Sequence, residues 1–188
     1  KVHFAIAKID HQFNASHKLS LREFWFKNDS PYNVGGGATT IQRATDFNDK
    51  MNTASAQLIS QFGGSRLNEL RVQYAQRDQS RVASDSSVTG PAINITGAQA
   101  ISFGSPLDGT ASAGFIFNTK IFQVVNNFSW TVGKHSMKAG VDFQHIADTR
   151  QNTLRAIYSF TSVASYLAAK NGTNPRGYAS YTQDLGDP

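Results

Sequence analysis

The 188-residue chain is long enough for one ordinary domain, and its 39% hydrophobic and 16% charged residues both fall below the shares usual in a soluble globular protein. Its net charge of +5 comes from Lys and Arg scattered without a run of three, which argues against nucleic acid as a partner; the absence of cysteine excludes a disulfide framework and thiolate metal sites. No stretch approaches the roughly 18 to 20 apolar residues of a membrane-crossing helix.

Alternation begins at once. Across residues 2–13, Ala5, Ala7, Ile9 and Phe13 share one parity and Lys8, Asp10 and Gln12 the other, as in a strand with one apolar and one wet face. A polar turn at 14–18 leads into a return strand over 19–28, and a loop rich in Gly, Asn and Thr then runs to about Met51. A second hairpin is expected from strands over 52–62 and 67–77, joined at Gly63-Gly64-Ser65-Arg66. In its return arm Leu70, Val72 and Tyr74 alternate with Arg71, Gln73 and Ala75. The longest loop covers about 78–114, and its β-branched stretch from Ala92 to Phe103 fits a small hairpin outside the main sheet.

The third hairpin alternates most clearly. Lys120, Phe122, Val124, Phe128 and Trp130 oppose Gln123, Asn127, Ser129 and Thr131; after Gly133-Lys134-His135, Met137, Ala139, Val141 and Phe143 oppose Lys138, Gly140, Asp142 and Gln144. Beyond Arg150 the pattern weakens to a short strand at 158–160, a short helix from Ser162 to Lys170 closed by Gly172, and one more strand over 178–185.

Tight turns thus alternate with loops of about 20 to 40 residues, which a compact soluble domain seldom tolerates. An outer-membrane barrel expects them, with short turns on one side, long loops on the other and strands of about 10 residues between. The expected fold is therefore all-β: an antiparallel up-and-down meander forming part of a transmembrane barrel in the bacterial outer membrane, with long extracellular loops and one short loop helix. No signal-peptide pattern is present within residues 1–188, and the chain is expected to be a section of a longer one. Two other readings stay open: a small closed barrel of about eight strands with a structural or adhesin role, and a soluble β-sandwich binding module.

In the barrel reading, Lys8, Asp10, Gln12, Arg71, Gln73, Gln123, Asn127, Lys138, Asp142 and Gln144 face the lumen. Trp25, Tyr74, Trp130 and Phe143, toward strand ends, form an aromatic girdle where rings meet the membrane interface. Phe24, Trp25 and Phe26 are consecutive, so an aromatic must point into the lumen or the strand must leave the membrane there; Glu23, on the lipid-facing parity, places the bilayer boundary nearby. Tyr158, Phe160, Tyr166, Tyr178 and Tyr181 fit either loop packing or a ligand-contact surface.

No residue pattern points to catalysis, so no enzyme activity and no cofactor are expected. His3, His11, His17, His135 and His145 lack the spacing of a metal-ligand set. Gly35-Gly36-Gly37-Ala38-Thr39-Thr40 lacks the Gly-Lys-Ser/Thr ending of a phosphate loop and precedes no helix pattern. There is no Gly-x-Ser-x-Gly elbow.

Four segments also resemble a known family. Lys8-Ile9-Asp10-His11-Gln12-Phe13 with Lys18-Leu19-Ser20-Leu21 resembles a hairpin of TonB-dependent receptors of the Oar-like type. Arg66-Leu67-Asn68-Glu69-Leu70-Arg71-Val72-Gln73-Tyr74 and Gly133-Lys134-His135-Ser136-Met137-Lys138-Ala139-Gly140-Val141-Asp142-Phe143 are similar to two further segments of these receptors. The stretch from Phe160 to Pro188 is similar to the segment that precedes another of their strands. The resemblance implies a barrel of about 22 strands, of which residues 1–188 supply about six to eight, with the plug and remaining strands outside the chain. It further implies uptake of a substrate, with the rest of the barrel, its plug, the TonB complex (through missing segments) and outer-membrane lipid as partners.

Overall fold

A computed structural model of the chain describes residues 1–34, 36–106, 114–152 and 154–185. Gly35 of the glycine run, residues 107–113 of the longest loop and the final Gly186-Asp187-Pro188 lie outside the described residues. In chain order the elements are β1 (Val2–Asn14), β2 (His17–Asn33), β3 (Thr45–Phe62), β4 (Arg66–Ala83), β5 (Ala92–Ile95), β6 (Ile101–Gly104), β7 (Phe115–Val132), β8 (His135–Asn152), β9 (Ala156–Phe160), α1 (Val163–Lys170) and β10 (Ser180–Gln183). The long strands form one antiparallel meander in the order β1-β2-β3-β4-β7-β8. Its tight turns fall where the sequence placed them; Gly63 (φ 65°) and Gly133 (φ 59°) supply the left-handed backbone that an L side chain disfavours.

The strands are longer than the alternation indicated. β2, β3, β4, β7 and β8 run for 17 or 18 residues. At about 3.3 Å per residue that is roughly 55 to 60 Å, well over the ~25 Å height of a barrel's apolar band. The expected loop from Asn28 to Met51 shrinks to residues 34–44, with a single 3-10 turn at Ile41–Arg43. Likewise residues 78–83 belong to β4 rather than to the longest loop, and β7 begins at Phe115, directly after that loop's expected end. Backbone pairing continues where both faces are wet, and there alternation is no longer written in the side chains.

The chain divides into two compact units. The first comprises residues 1–28, 49–78 and 118–149, and holds β1 with most of the other five long strands. Among the described residues the buried apolar side chains are Ala44, Ala92, Ile95 and Phe160, none of them in this unit. Here the sheet carries its apolar side chains in the open: Ile9, Phe13, Val132, Val141 and Phe143 are each more than half exposed.

The second unit comprises residues 29–48, 79–117 and 150–188, and holds a sheet in the order β10-β9-β5-β6. The expected hairpin outside the main sheet is β5 with β6; β5 also pairs with β9 in parallel. β10 is shorter than the 178–185 strand expected. Register aligns Tyr181, Tyr158, Ile93 and Phe103 across the four strands. Over that face α1 sets Tyr166 edge-on to Phe103 and Phe160, with ring centroids at 5.2 and 5.4 Å, while Tyr158 stacks on Tyr181 at 4.4 Å. The aromatics left open between packing and ligand contact therefore pack on one another. α1 begins at a Ser162–Ser165 capping box, which satisfies two amide donors of its first turn. In the connection after β4, the Ser87 hydroxyl and amide hold the Asp85 carboxyl below the usual carboxylate range.

One glycine is indispensable to the main sheet. A Cβ on Gly140 of β8 would lie 2.5 Å from the Asn127 side-chain oxygen and 2.7 Å from the Asn126 carbonyl oxygen. Gly140→Val is expected to destabilise the β7–β8 pairing by about 1 to 3 kcal/mol, whereas Gly64→Ala, in open space, should be near neutral. Urea midpoints of the full-length protein, read by its heat-modifiable gel mobility, check this; equal midpoints for the two variants would contradict it.

Candidate functional site

Where residues 7–12 of β1 pair with 18–23 of β2, the two faces of the sheet are chemically opposite. Register between β1 and β2 pairs Lys8 with Arg22, Asp10 with Ser20 and Gln12 with Lys18 on one face, and Ala7 with Glu23 and Ile9 with Leu21 on the other. On the polar face Lys8, Ser20, Arg22, Ser55, Gln57, Arg71, Gln73, Gln123 and Asp142 line one basin of about 550 Å³. Five of the ten residues singled out as lumen-facing, Lys8, Arg71, Gln73, Gln123 and Asp142, meet there. Asp10 joins its edge through Lys8 (2.8 Å) and the Ser20 hydroxyl (2.5 Å). Gln12 donates instead to the Asn14 carbonyl, and Asn127 lies against Gly140. Lys138 and Gln144 share the parity of Asp142 on β8, outside the basin lining.

Hydrogen bonds run both across and along the strands of this face, the Arg71–Glu69 pair lying within β4. The Gln123 amide donates to both Asp142 oxygens at 2.9 and 3.1 Å, Gln57 donates to Glu69, and Arg71 Nε donates to Glu69 at 2.8 Å. The cross-strand pairs Gln123–Asp142 and Gln57–Glu69 tie neighbouring strands without closing the basin to water, so each stabilises only modestly. The alternation had missed Ser20, Arg22, Ser55, Gln57 and Glu69. For Ser20 and Arg22 the signal was available, since a hairpin of that turn length sets them opposite Asp10 and Lys8.

The opposite face is apolar. A shallow groove of about 430 Å³ runs along it, lined by Ala7, Ile9, Leu21, Ala54, Ala56, Val72 and Tyr74 together with Glu23. Of the four girdle aromatics, Trp25 pairs with Ala5 on this face and Tyr74 lines the groove. Phe143 takes the parity opposite to Asp142, and Trp130 stands beside Phe128 at 5.6 Å. Because the strands are long, Trp25, Tyr74 and Phe143 sit mid-strand, and Trp130 is the one close to a turn. Phe24 and Phe26 pair with Ile6 and Phe4 on the polar-face parity, which resolves the run of three aromatics: its outer two share one face and Trp25 takes the other.

Two of the five histidines pack on aromatic rings. His11 lies edge-on to Phe13 at 4.6 Å and His17 to Phe62 at 5.9 Å. Among the described residues no group of three or more His, Cys, Asp or Glu comes together.

One ion pair stands apart in its burial. Arg77 of β4 donates through Nε and Nη2 to the two oxygens of Asp49 on β3, at 2.9 and 2.7 Å, and Asp49 is only 5% exposed. The guanidinium itself is half exposed, so the pair costs less to form than a fully buried one. Arg77→Met leaves a buried carboxylate without this fork and is expected to cost about 1 to 3 kcal/mol. Adding Asp49→Asn should recover part of the loss; unfolding midpoints of the single and double variants measure it, and a double variant no better than the single contradicts the assignment.

A family model described as an outer membrane beta barrel domain matches residues 1–187. No curated protein and no solved structure matches the chain. The match agrees with a long antiparallel meander that has one polar face, one apolar face and no buried apolar side chain among its described residues in the first unit. The chain belongs to the outer membrane beta barrel domain family, and its place is the outer membrane.

Proposed function

We propose that this chain is a section of the barrel wall of a TonB-dependent receptor that takes up a solute across the outer membrane, and that it acts by transport rather than catalysis. The observation that carries the wall reading is the two-faced sheet without a core of its own, which needs lipid on one side and water on the other. The polar basin then faces the lumen and the groove faces lipid. TonB dependence rests on the four receptor-like segments described above, in their order along the chain.

The sheet edges bear on the partners. Every residue of β1 and β8 is exposed, and these strands stand at opposite ends of the strand order. Unpaired amides and carbonyls in lipid cost several kcal/mol each, so both edges need further strands, which the remainder of the same barrel would supply. A soluble β-sandwich does not hold for a member of an outer-membrane family.

Two measurements test the reading. Since the chain has no cysteine, spin labels can be placed at Leu70→Cys and Gln73→Cys in the full-length protein. The first is expected to be relaxed by oxygen dissolved in lipid, the second by a water-soluble relaxer; the reverse result would overturn the wall orientation. For the receptor assignment, the full-length protein solubilised from outer membranes should retain a TonB-type energy-coupling protein after cross-linking, and its gene should encode a plug and about a dozen further alternating strands. Failure of both would leave a barrel without transport by this route.

A further inference from the structure

On the polar face, Lys8 of β1 stands directly opposite Arg22 of β2, and Asp10 is the one carboxylate on the adjoining positions of these two strands. Both Asp10 oxygens are taken, by the Lys8 ammonium and the Ser20 hydroxyl. The other carboxylates of this face in the first unit are engaged elsewhere: Asp49 by Arg77, Glu69 by Arg71 and Gln57, Asp142 by Gln123 and Asp148 by Thr119. Glu23 takes the opposite face, paired with Ala7. Arg22 lines the basin beside Ser20 and Ser55, yet among the described residues its side chain makes no hydrogen bond or ion pair. Like charges set directly opposite cost stability, and an anion received by the guanidinium fork reverses that cost. Two residues farther from the tight turn Ile6 pairs with Phe24, and two beyond that Phe4 pairs with Phe26, all on the parity of Lys8 and Arg22. These apolar rows lie roughly 7 and 13 Å from the two cations along the strands. Phe4 is 70% and Ile6 55% exposed, an apolar surface on the wet side of the sheet.

We propose that this part of the wall binds an organic anion with an apolar body, its oxyanion head held by Arg22 beside Lys8 and its body lying on Ile6, Phe24, Phe4 and Phe26. This names a solute class for the polar face and rests on the lumen-facing orientation proposed above. Charge complementarity and spacing commit the occupant. The fork of Arg22 is unfilled while every carboxylate around it is engaged, so it selects a negative head that a planar carboxylate matches. The two rows select an apolar body that reaches about 7 to 13 Å from that head. Neither half by itself specifies the solute; their adjacency on one face does.

The test is isothermal titration calorimetry of the full-length protein with 2-naphthoate, and with 2-naphthylmethylammonium as a probe of the same body and opposite charge. Naphthoate is expected to bind and the ammonium probe is not. Arg22→Gln should weaken naphthoate binding on the order of ten-fold, and Arg22→Lys should recover part of the loss. Phe24→Ala with Phe26→Ala should also weaken it on the order of ten-fold, while Lys134→Gln, at a tight turn, leaves it unchanged. Arg22→Gln relieves the repulsion from Lys8, so its urea midpoint should stay level or rise. A lower midpoint with unchanged naphthoate affinity would make Arg22 structural and overturn the proposal. Absence of binding to the wild-type protein, as when another part of the chain covers these rings, overturns it too, as do equal binding of both probes or an equal loss in Lys134→Gln. The Gln73 spin label separates the two ideas. If it meets the water-soluble relaxer while Arg22→Gln binds naphthoate normally, the wall orientation stands and this site falls; if it reports lipid, both fall.

Discussion

A six-stranded sheet that buries no apolar side chain of its own in one unit depends on the solvent against each face. Backbone pairing within the meander satisfies amides and carbonyls, but in water it leaves Ile9, Leu21, Val141 and Phe143 exposed on one side with no layer to cover them. A bilayer removes that penalty on the apolar side and tolerates the polar basin on the other only if the basin meets water. The alternation of side chains, the absence of a core and the length of the strands are consequences of a sheet shared between two solvents.

The same constraint explains where charge is allowed. On the polar face, Lys8, Asp10, Glu69, Arg71 and Asp142 form cross-strand and same-strand pairs that stay wet, so ionised groups cost little there. On the apolar-face parity Glu23 lines the groove, Lys27, Asp29, Lys50, Asp78 and Lys120 lie toward the loop ends of their strands, and Arg66 stands beside a tight turn. The fork from Arg77 to Asp49 belongs to the polar-face parity, where a buried carboxylate can be matched from the neighbouring strand.

The second unit solves the opposite problem. Its short sheet covers one face with α1 and a run of aromatic rings, so Ile95 and Phe160 are buried there, while Ala92 is buried on the opposite face. This packing gives residues in the long connections a fixed structure, including the parallel pairing of β5 with β9 that an up-and-down meander does not contain. Arg155 and Asp184, joined at 2.9 Å, tie the segment before β9 to the one after β10.

The sequence by itself determined the meander, its three tight turns and the chemical identity of the two faces, because a period of two maps each residue to a face as soon as the turn is placed. It also determined the helix from Ser162 and the extra hairpin at 92–103, whose capping residues and β-branched runs act locally. Tertiary structure alone decided how far the strands run, since residues 29–33, 45–48 and 79–83 pair through backbone groups while their side chains carry no alternation. It also decided which polar residues meet in one basin and that Tyr158, Tyr166 and Tyr181 serve packing, because those contacts join strands far apart in sequence and depend on register that no single segment encodes.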